Sequence, residues 1–231
     1  MKIEGVTVFL VDGAVVWEDG LSIDVDGAPR AYHPDGKSGL DALGNAGHPG
    51  KWWGVETDTG EPDGTPFVQR ATDLAPGFLV SGTSLKDKTL TSDGKPLYSR
   101  RDPRRYVDAT IVPYIAVPPE LRSEFKVSFG DVAMTAYWPA ARLAGAIVAD
   151  GGPKRKIGEG SPALADRLGV PSSPRHGGAS KYVATVVFPG SKREPRWPRT
   201  VADVEEQAVA LFTAWGGVER LRKVLTQKVT P

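Results

Sequence analysis

The sequence predicts a mainly β, α+β fold with a barrel-like core, a short mid-chain helix and helices at the C-terminus. Three observations carry this. Gly 27 and Pro 20 make up about a fifth of the 231 residues, a density of turn formers that suits many short strands and no helical bundle. Period-two alternation is visible in Leu21-Ser22-Ile23-Asp24-Val25-Asp26. Sustained helical spacing comes late, at Val201, Val204, Ala208, Leu211, Phe212 and Trp215.

Taken in order, Val6 to Val11, a turn at Asp12-Gly13-Ala14 and Val15-Val16-Trp17 read as a hairpin, followed by a strand over Leu21 to Asp26 and a turn at Asp26-Gly27. Residues 32–66 read as loop, with a short helical hint over Leu40 to Leu43. Strand-like segments follow at Phe67 to Gln69, Gly77 to Ser81 and Ile111 to Val117, with a polar insert from Lys86 to Arg105 before the third. Lys126 to Phe129 and Val132 to Tyr137 read as two strands around a Gly130-Asp131 turn. Leu143 to Ala149 is apolar almost throughout, as in a strand buried on both faces. A helix begins at Ser161, a natural N-cap, with Pro162 at the first helical position, and ends at Gly169. Tyr182 to Phe188 is a further strand. Thr200 caps a helix with Asp203 three residues on, Gly216-Gly217 breaks it, and Val218 starts another.

Composition narrows the function classes. At 40% hydrophobic and 25% charged residues the chain is ordinary globular protein, and its length fits one domain, read here as residues 1–231. Lys+Arg 29 against Asp+Glu 28 leaves no global field for nucleic acid or an anionic membrane, so neither is expected as a partner. Zero cysteine excludes disulfides, thiolate metal sites and cysteine nucleophiles. His33, His48 and His176 show no metal-ligand spacing, and there is no GxSxG or Walker loop; no metal and no cofactor are expected. The first apolar run is far too short for a bilayer and lacks a small-residue cleavage site.

The segment richest in chemistry runs from Ala149 to Ser161. Asp150 ends the buried strand, and Glu159 follows nine residues later between Gly158 and Gly160. Such glycines admit close backbone approach and leave the acidic side chain uncovered. Two carboxyls held several ångströms apart across a cleft are what inverting glycoside hydrolysis needs: an acid for the leaving oxygen and a base for water, roughly 6.5–9.5 Å apart. The same residues also suit an Asp-Gly turn and a helix-capping Glu, and spacing alone does not choose.

Asp150-Gly-Gly-Pro153, Lys156-Ile-Gly-Glu-Gly-Ser161, Ala163-Leu-Ala165 and Leu168-Gly169 together resemble the signature of fungal-type chitosanases, glycoside hydrolase family 75. Asp24 through Pro34, Gly39-Leu-Asp41, Asn45-Ala-Gly47, Pro49 through Val55, Asp108 through Ile115, Val186 through Ser191 and Trp215-Gly-Gly217 are similar to further family pieces. The resemblance covers roughly residues 21 to 217. It implies endo-hydrolysis of chitosan with inversion, Asp150 and Glu159 as the catalytic pair, and a secreted, extracellular enzyme acting as a monomer, although no export signal is visible. Gly151 stands where a bulkier apolar residue is expected, which implies a re-shaped loop. The Val148-Ala-Asp-Gly-Gly-Pro153 strand end further resembles an active-site strand of double-psi barrel enzymes that cleave glycans, so the barrel expected in detail is a double-psi β-barrel.

Burial behind Ala146-Ile147-Val148-Ala149 favours Asp150 as the acid, and the helix N-terminus and Lys154-Arg155-Lys156 favour Glu159 as the base; the frequent use of Glu as glycosidase acid favours the reverse. The basic run also reads as a solvated loop. A polycationic substrate calls for carboxylates and aromatics, so Asp24, Asp26, Asp41 and Asp131 are candidates for amino groups and Trp52 and Trp53 for sugar faces. Against this, Asp26 and Asp131 sit in turns and one Trp of an adjacent pair is commonly core. Two alternatives remain: a glycan hydrolase acting on peptidoglycan, as a lysis enzyme or delivered toxin, and a non-catalytic carbohydrate-binding module.

Overall fold

A strand of only two residues closes the barrel. The structure, a computed structural model, describes residues 1–226. In chain order the strands are β1 (Lys2–Ile3), β2 (Val6–Thr7), β3 (Phe9–Val11), β4 (Ala14–Ile23), β5 (Gly47–His48), β6 (Lys51–Trp52), β7 (Tyr114–Ala116), β8 (Val132–Tyr137), β9 (Arg142–Asp150), β10 (Glu159–Gly160) and β11 (Ala179–Phe188). The helices are α1 (Pro119–Phe125), α2 (Pro162–Leu168), α3 (Val201–Trp215) and α4 (Gly217–Thr226). β10 runs parallel to β4 and antiparallel to β7; β7 runs parallel to β9; and β9, β8, β11 and β4 follow as antiparallel neighbours. The ring β4–β10–β7–β9–β8–β11 therefore returns on itself, which leaves no open edge in the core. Six strands of mixed direction agree with the expected barrel at that level.

Local chemistry explains the elements. Asp12 and Gly13 both have positive φ, 45° and 80°, as a type I′ turn between β3 and β4 requires. The Ser161 hydroxyl accepts from Leu164 N–H at 3.1 Å and from Tyr114 N–H at 3.0 Å, and donates to the Val112 carbonyl at 2.8 Å. One side chain thus caps α2 and fastens it to β7. Thr200 and Asp203 form a reciprocal capping box on α3, and Gly216 ends that helix at φ 115°.

Alternate residues of the barrel strands enter two apolar clusters. Val15, Trp17, Ile115, Ala133, Val148 and Val187 gather with Leu164 and Leu168 of α2. Val16, Tyr114, Met134, Ile147 and Val186 gather with Val204, Ala208 and Phe212 of α3 and with Val25, Ala28 and Val107 of the long loop region. α3 packs on the face that carries Gly145, where an added Cβ would lie 3.0 Å from Ala208 Cβ. The second cluster is therefore outside the barrel and the first inside it.

The structure departs from the sequence reading in several places, and the strands expected over Leu21 to Asp26 and Ile111 to Val117 are shorter, ending at Ile23 and spanning Tyr114–Ala116. Lys126 to Phe129 is not a strand. Pro118-Pro119 starts α1 instead, Leu121 buries its inner face, and Lys126 stops it in the left-handed conformation at φ 56°. The helical hint at Leu40 to Leu43 becomes a 3-10 turn at Leu43–Ala46. The strand-like segments at Phe67 to Gln69 and Gly77 to Ser81 form no named strand, and Val68 and Leu79 meet only as an isolated bridge.

Closure depends on the small size of Gly160. A Cβ there would lie 2.9 Å from the Tyr114 carbonyl oxygen and 2.9 Å from Leu164 Cδ2. Gly160→Ala is expected to cost about 1–3 kcal/mol through overpacking. In a domain of this size that lowers the thermal midpoint by roughly 2–4 °C per kcal/mol. A calorimetric scan checks this, and an unchanged midpoint contradicts the tight closure.

Candidate active site

A bulge places the first carboxylate. β7 and β9 run in register as Tyr114 opposite Ile147 and Ile115 opposite Val148, and then the register slips so that Ala116 stands opposite Asp150. The skipped residue is Ala149. Such an irregularity re-aims a side chain, here at the open end of the barrel. On the other side of β7, Ala116 stands opposite Glu159. Asp150 and Glu159 therefore occupy the two strands that flank β7, about 10 Å apart at Cα, twice the spacing of neighbouring strands. Both line one cleft of about 1030 Å³.

The two carboxyls are held differently. Asp150 Oδ1 accepts from Ser84 N–H at 3.0 Å, from the Ser84 hydroxyl at 2.6 Å and from Gly151 N–H at 2.8 Å. Burial pushes the Asp150 pKa up, against these three bonds, and the Glu159 charge adds to the rise. Glu159 Oε1 receives the Lys156 ammonium at 2.6 Å. Lys154, Arg155 and Lys156 are all exposed, as expected of a solvated basic run, and Lys156 also lines the cleft and supplies a counter-charge to Glu159.

Asp24 and Asp26 lie beside the pair on the loop leaving β4. Asp24 N–H donates to the Gly160 carbonyl at 2.9 Å, which carries the chain past β10 into the cleft. Its pKa rises to about 7, chiefly through burial and next through the charge of Asp150. Asp26 is raised by burial and by Asp24, while the Tyr32 hydroxyl donates to its Oδ1 at 2.8 Å. The Tyr114 hydroxyl lies 3.1 and 3.0 Å from the Asp24 and Asp26 carbonyl oxygens and donates to one at a time, tying this loop to β7.

Of the other sequence candidates, Asp41 and Trp53 line the same cleft. Asp41 accepts from Ala42 N–H at 2.7 Å and Asn45 Nδ2 at 2.8 Å. Trp53 is 59% exposed, with its indole N–H bound to the Asn45 carbonyl at 2.8 Å. Trp52 and Asp131 are not brought to the site. Trp52 is packed in the outer cluster. Asp131 is fully buried and holds a turn, accepting from Ser128 N–H at 2.7 Å and Lys192 N–H at 2.9 Å. Gly151 has room: a Cβ would sit 3.7 Å from Ser84 Oγ and 3.8 Å from Arg122 Nη2, ordinary contact distances.

Sequence reasoning missed Ser84, Glu56 and Tyr32, all of which line the cleft. Ser84 is 66 residues from Asp150, and what brings it there is Leu85 N–H bonding to the Ala149 carbonyl at 2.8 Å. No local motif signals that pairing. The cleft carries Asp24, Asp26, Asp41, Glu56, Asp150 and Glu159 against Lys86 and Lys156, so it is acidic within a chain of net charge +1. Among the described residues no group of three or more His, Cys, Asp or Glu is arranged to hold a metal ion. No protein-family model and no curated protein matches this chain, so the likeness to fungal-type chitosanases rests on the motif residues alone.

The raised carboxyls set a pH dependence of stability. A carboxyl raised in the folded state contributes stability below its unfolded pKa of 3.8, and the contribution is lost as pH rises through its folded value, about 7 for Asp24. Asp26 and Asp150 act in the same direction. Carboxyls that are lowered, such as the half-buried Asp102 and the exposed Asp203, titrate below this window. Thermal midpoints are expected to be several degrees higher near pH 5 than near pH 8, and Asp24→Asn to narrow the gap, at roughly 2–4 °C per kcal/mol. A midpoint that rises over this interval contradicts the burial of the cluster.

Proposed function

We propose that this protein is an endo-acting, inverting glycoside hydrolase that cleaves β-1,4 linkages of chitosan. The observation that carries the reading is the pair Asp150 and Glu159 on the strands flanking β7, in one acidic cleft and in unlike surroundings. They stand on strands separated by a third, not on neighbours, as suits a reaction that needs room for a water and roughly 6.5–9.5 Å between carboxyls. Asp150, raised by burial, keeps its proton to higher pH and acts as the acid. Glu159, beside the Lys156 ammonium, acts as the base.

In the reaction, Glu159 takes a proton from water as its oxygen attacks the anomeric carbon. The bond from that carbon to the glycosidic oxygen breaks, and the oxygen takes the Asp150 proton. Configuration inverts, and exchange with solvent resets both carboxyls. The surplus of acidic side chains over basic ones suits the ammonium groups of chitosan, which the buried carboxyls meet as hydrogen-bond acceptors and, once ionised, as counter-charges. Lys156 does not oppose such a substrate, because its charge is already matched by Glu159. Peptidoglycan strands bear carboxylates of their own, and the acidic cleft disfavours them. The exposed indole of Trp53 offers an apolar face to a sugar ring or an ammonium.

Reducing-end release from chitosan and from purified cell wall separates the readings. The wild type is expected to act on chitosan, with the α-anomer formed first, and Asp150→Asn and Glu159→Gln to lose about 10²–10⁴-fold. Asp150→Asn is expected to lose less on an aryl glycoside with an activated leaving group, which needs little protonation. Release from cell wall alone moves the reading to peptidoglycan, and release from neither polymer overturns both. Trp53→Ala is expected to raise KM roughly 2- to 30-fold with kcat little changed, corresponding to about 0.5–2 kcal/mol of stacking.

A further inference from the structure

We propose that Ser84 is a positioning residue that confines the acidic proton of Asp150 to Oδ2 and sets the strength of that acid. The inference rests on the reading of Asp150 as the acid. Three donors converge on one oxygen: Ser84 N–H at 3.0 Å, the Ser84 hydroxyl at 2.6 Å and Gly151 N–H at 2.8 Å all reach Oδ1. A carboxyl oxygen with its lone pairs so engaged has no place for a proton. Among the described residues no hydrogen bond is made to Oδ2, so the proton resides there. Oδ2 is then the oxygen that faces the leaving group.

The same three donors receive the charge after transfer. When the Oδ2 proton passes to the glycosidic oxygen, the electron pair left on Asp150 spreads over both oxygens, and Oδ1 meets donors already in place. No reorganisation is needed at that moment, which is what makes preorganised donors effective. The segment is rigid enough for this. Leu85 N–H binds the Ala149 carbonyl at 2.8 Å, the Thr83 hydroxyl binds the Leu85 carbonyl at 2.6 Å, and Val107 N–H binds Thr83 Oγ1 at 3.1 Å. Asp150 is fixed from its other side by Val117 N–H on its carbonyl at 2.9 Å.

Two of the three donors are backbone. Only the Ser84 hydroxyl can be removed without moving the chain, so it is the one adjustable contributor. It works against burial and against the carboxylates that face Asp150, Asp24 and Asp26 from the loop after β4 and Glu159 from β10, and in the same direction as the positive charges of Lys156, held by Glu159, and of Arg122 from α1 beside Gly151. Lys86 and Glu56 line the same cleft.

The test is the pH profile of kcat/KM on chitosan for wild type, Ser84→Ala and Ser84→Thr. Loss of a hydrogen bond to the ionised form makes Asp150 a weaker acid, so the alkaline limb is expected to move up by about one pH unit in Ser84→Ala. Ser84→Thr keeps the hydroxyl and is expected to restore the wild-type limb. Ser84→Cys, a weaker donor, is expected to give a smaller rise and takes the place of Ser84→Ala if that variant melts below the assay temperature. Limbs that do not move, or movement of the acid limb instead, overturn the proposal. A ¹³C NMR titration of the Asp150 carboxyl in wild type and variant reads the same coupling without any substrate. A raised Asp150 titration in a protein that leaves chitosan intact removes the functional reading and retains the Ser84–Asp150 coupling; an unchanged titration removes the coupling whatever the protein cleaves.

Discussion

Everything at the site depends on how β10 is wedged between β4 and β7. Two residues, Glu159 and Gly160, pair with Ser22 and Ile23 on one side and with Ala116 and Ile115 on the other. The wedge closes the ring and, in the same step, brings a carboxylate to its mouth. The glycines around Glu159 serve this contact rather than uncovering the side chain as the sequence suggests. Gly158 has φ 84° and a Cβ there would lie 2.6 Å from the Gly20 carbonyl oxygen; Gly160 is pressed against the Tyr114 carbonyl and Leu164. Both positions need the missing Cβ so that three backbones can meet. Backbone bonds from Ser22 N–H to Gly158 at 2.8 Å and from Asp24 N–H to Gly160 at 2.9 Å complete the seam. The seam ends where Asp24 and Asp26 begin, so barrel closure and the placing of the acidic cluster are one event.

The acidity of that cluster is costly to fold. Asp24, Asp26 and Asp150 are all driven by burial towards their neutral forms, and each also raises a neighbour. The fold accepts this because donors are supplied: Tyr32 to Asp26, Asp26 N–H to Asp24 Oδ1 at 3.0 Å, and Ser84 with Gly151 to Asp150. The chain as a whole carries almost no net charge, and the positive charges that balance the cleft sit elsewhere, as in the Lys192-Arg193 and Arg196 to Arg199 stretch before α3. A total of +1 conceals a polar molecule, which is why charge balance read from composition misses the character of the cleft.

Elements whose signals are local were legible in the sequence. The Asp12-Gly13 hairpin, the doubly buried β9, the Ser161 cap and the Thr200–Asp203 capping box all depend on residues within a few positions of one another. Asp150 and Glu159 were legible because strand end and helix start bracket them. What was not legible is long-range. The slip that replaces Ala149 by Asp150 opposite Ala116 is set by the packing of β7 against β9, and Ser84 arrives through a backbone bond to β9. Trp52 and Trp53 are adjacent and identical in sequence, yet the β5–β6 ribbon turns one inward and the other, held by the Asn45 carbonyl, into the cleft. Asp131 fails as a site residue for a similar reason: its turn is drawn under the loop at Lys192, whose N–H it satisfies.

The unlike treatment of the two carboxyls is what turns an acidic patch into a candidate acid and base. Two carboxyls in equivalent surroundings would share a proton and divide the roles poorly. Here Asp150 receives neutral donors and burial, which leave the protonated form accessible, whereas Glu159 receives a full positive charge at 2.6 Å. The loop that joins them contributes to both arrangements, beside Ser84 at Asp150. Running from Gly151 to Gly158, it sends Gly151 N–H back to Asp150 and Lys156 forward to Glu159. The loop is therefore more than a connection between β9 and β10. One residue at its start and one near its end, with Ser84 and the burial of Asp150, give the two carboxyls unlike surroundings, which is the condition under which one can give a proton while the other takes one.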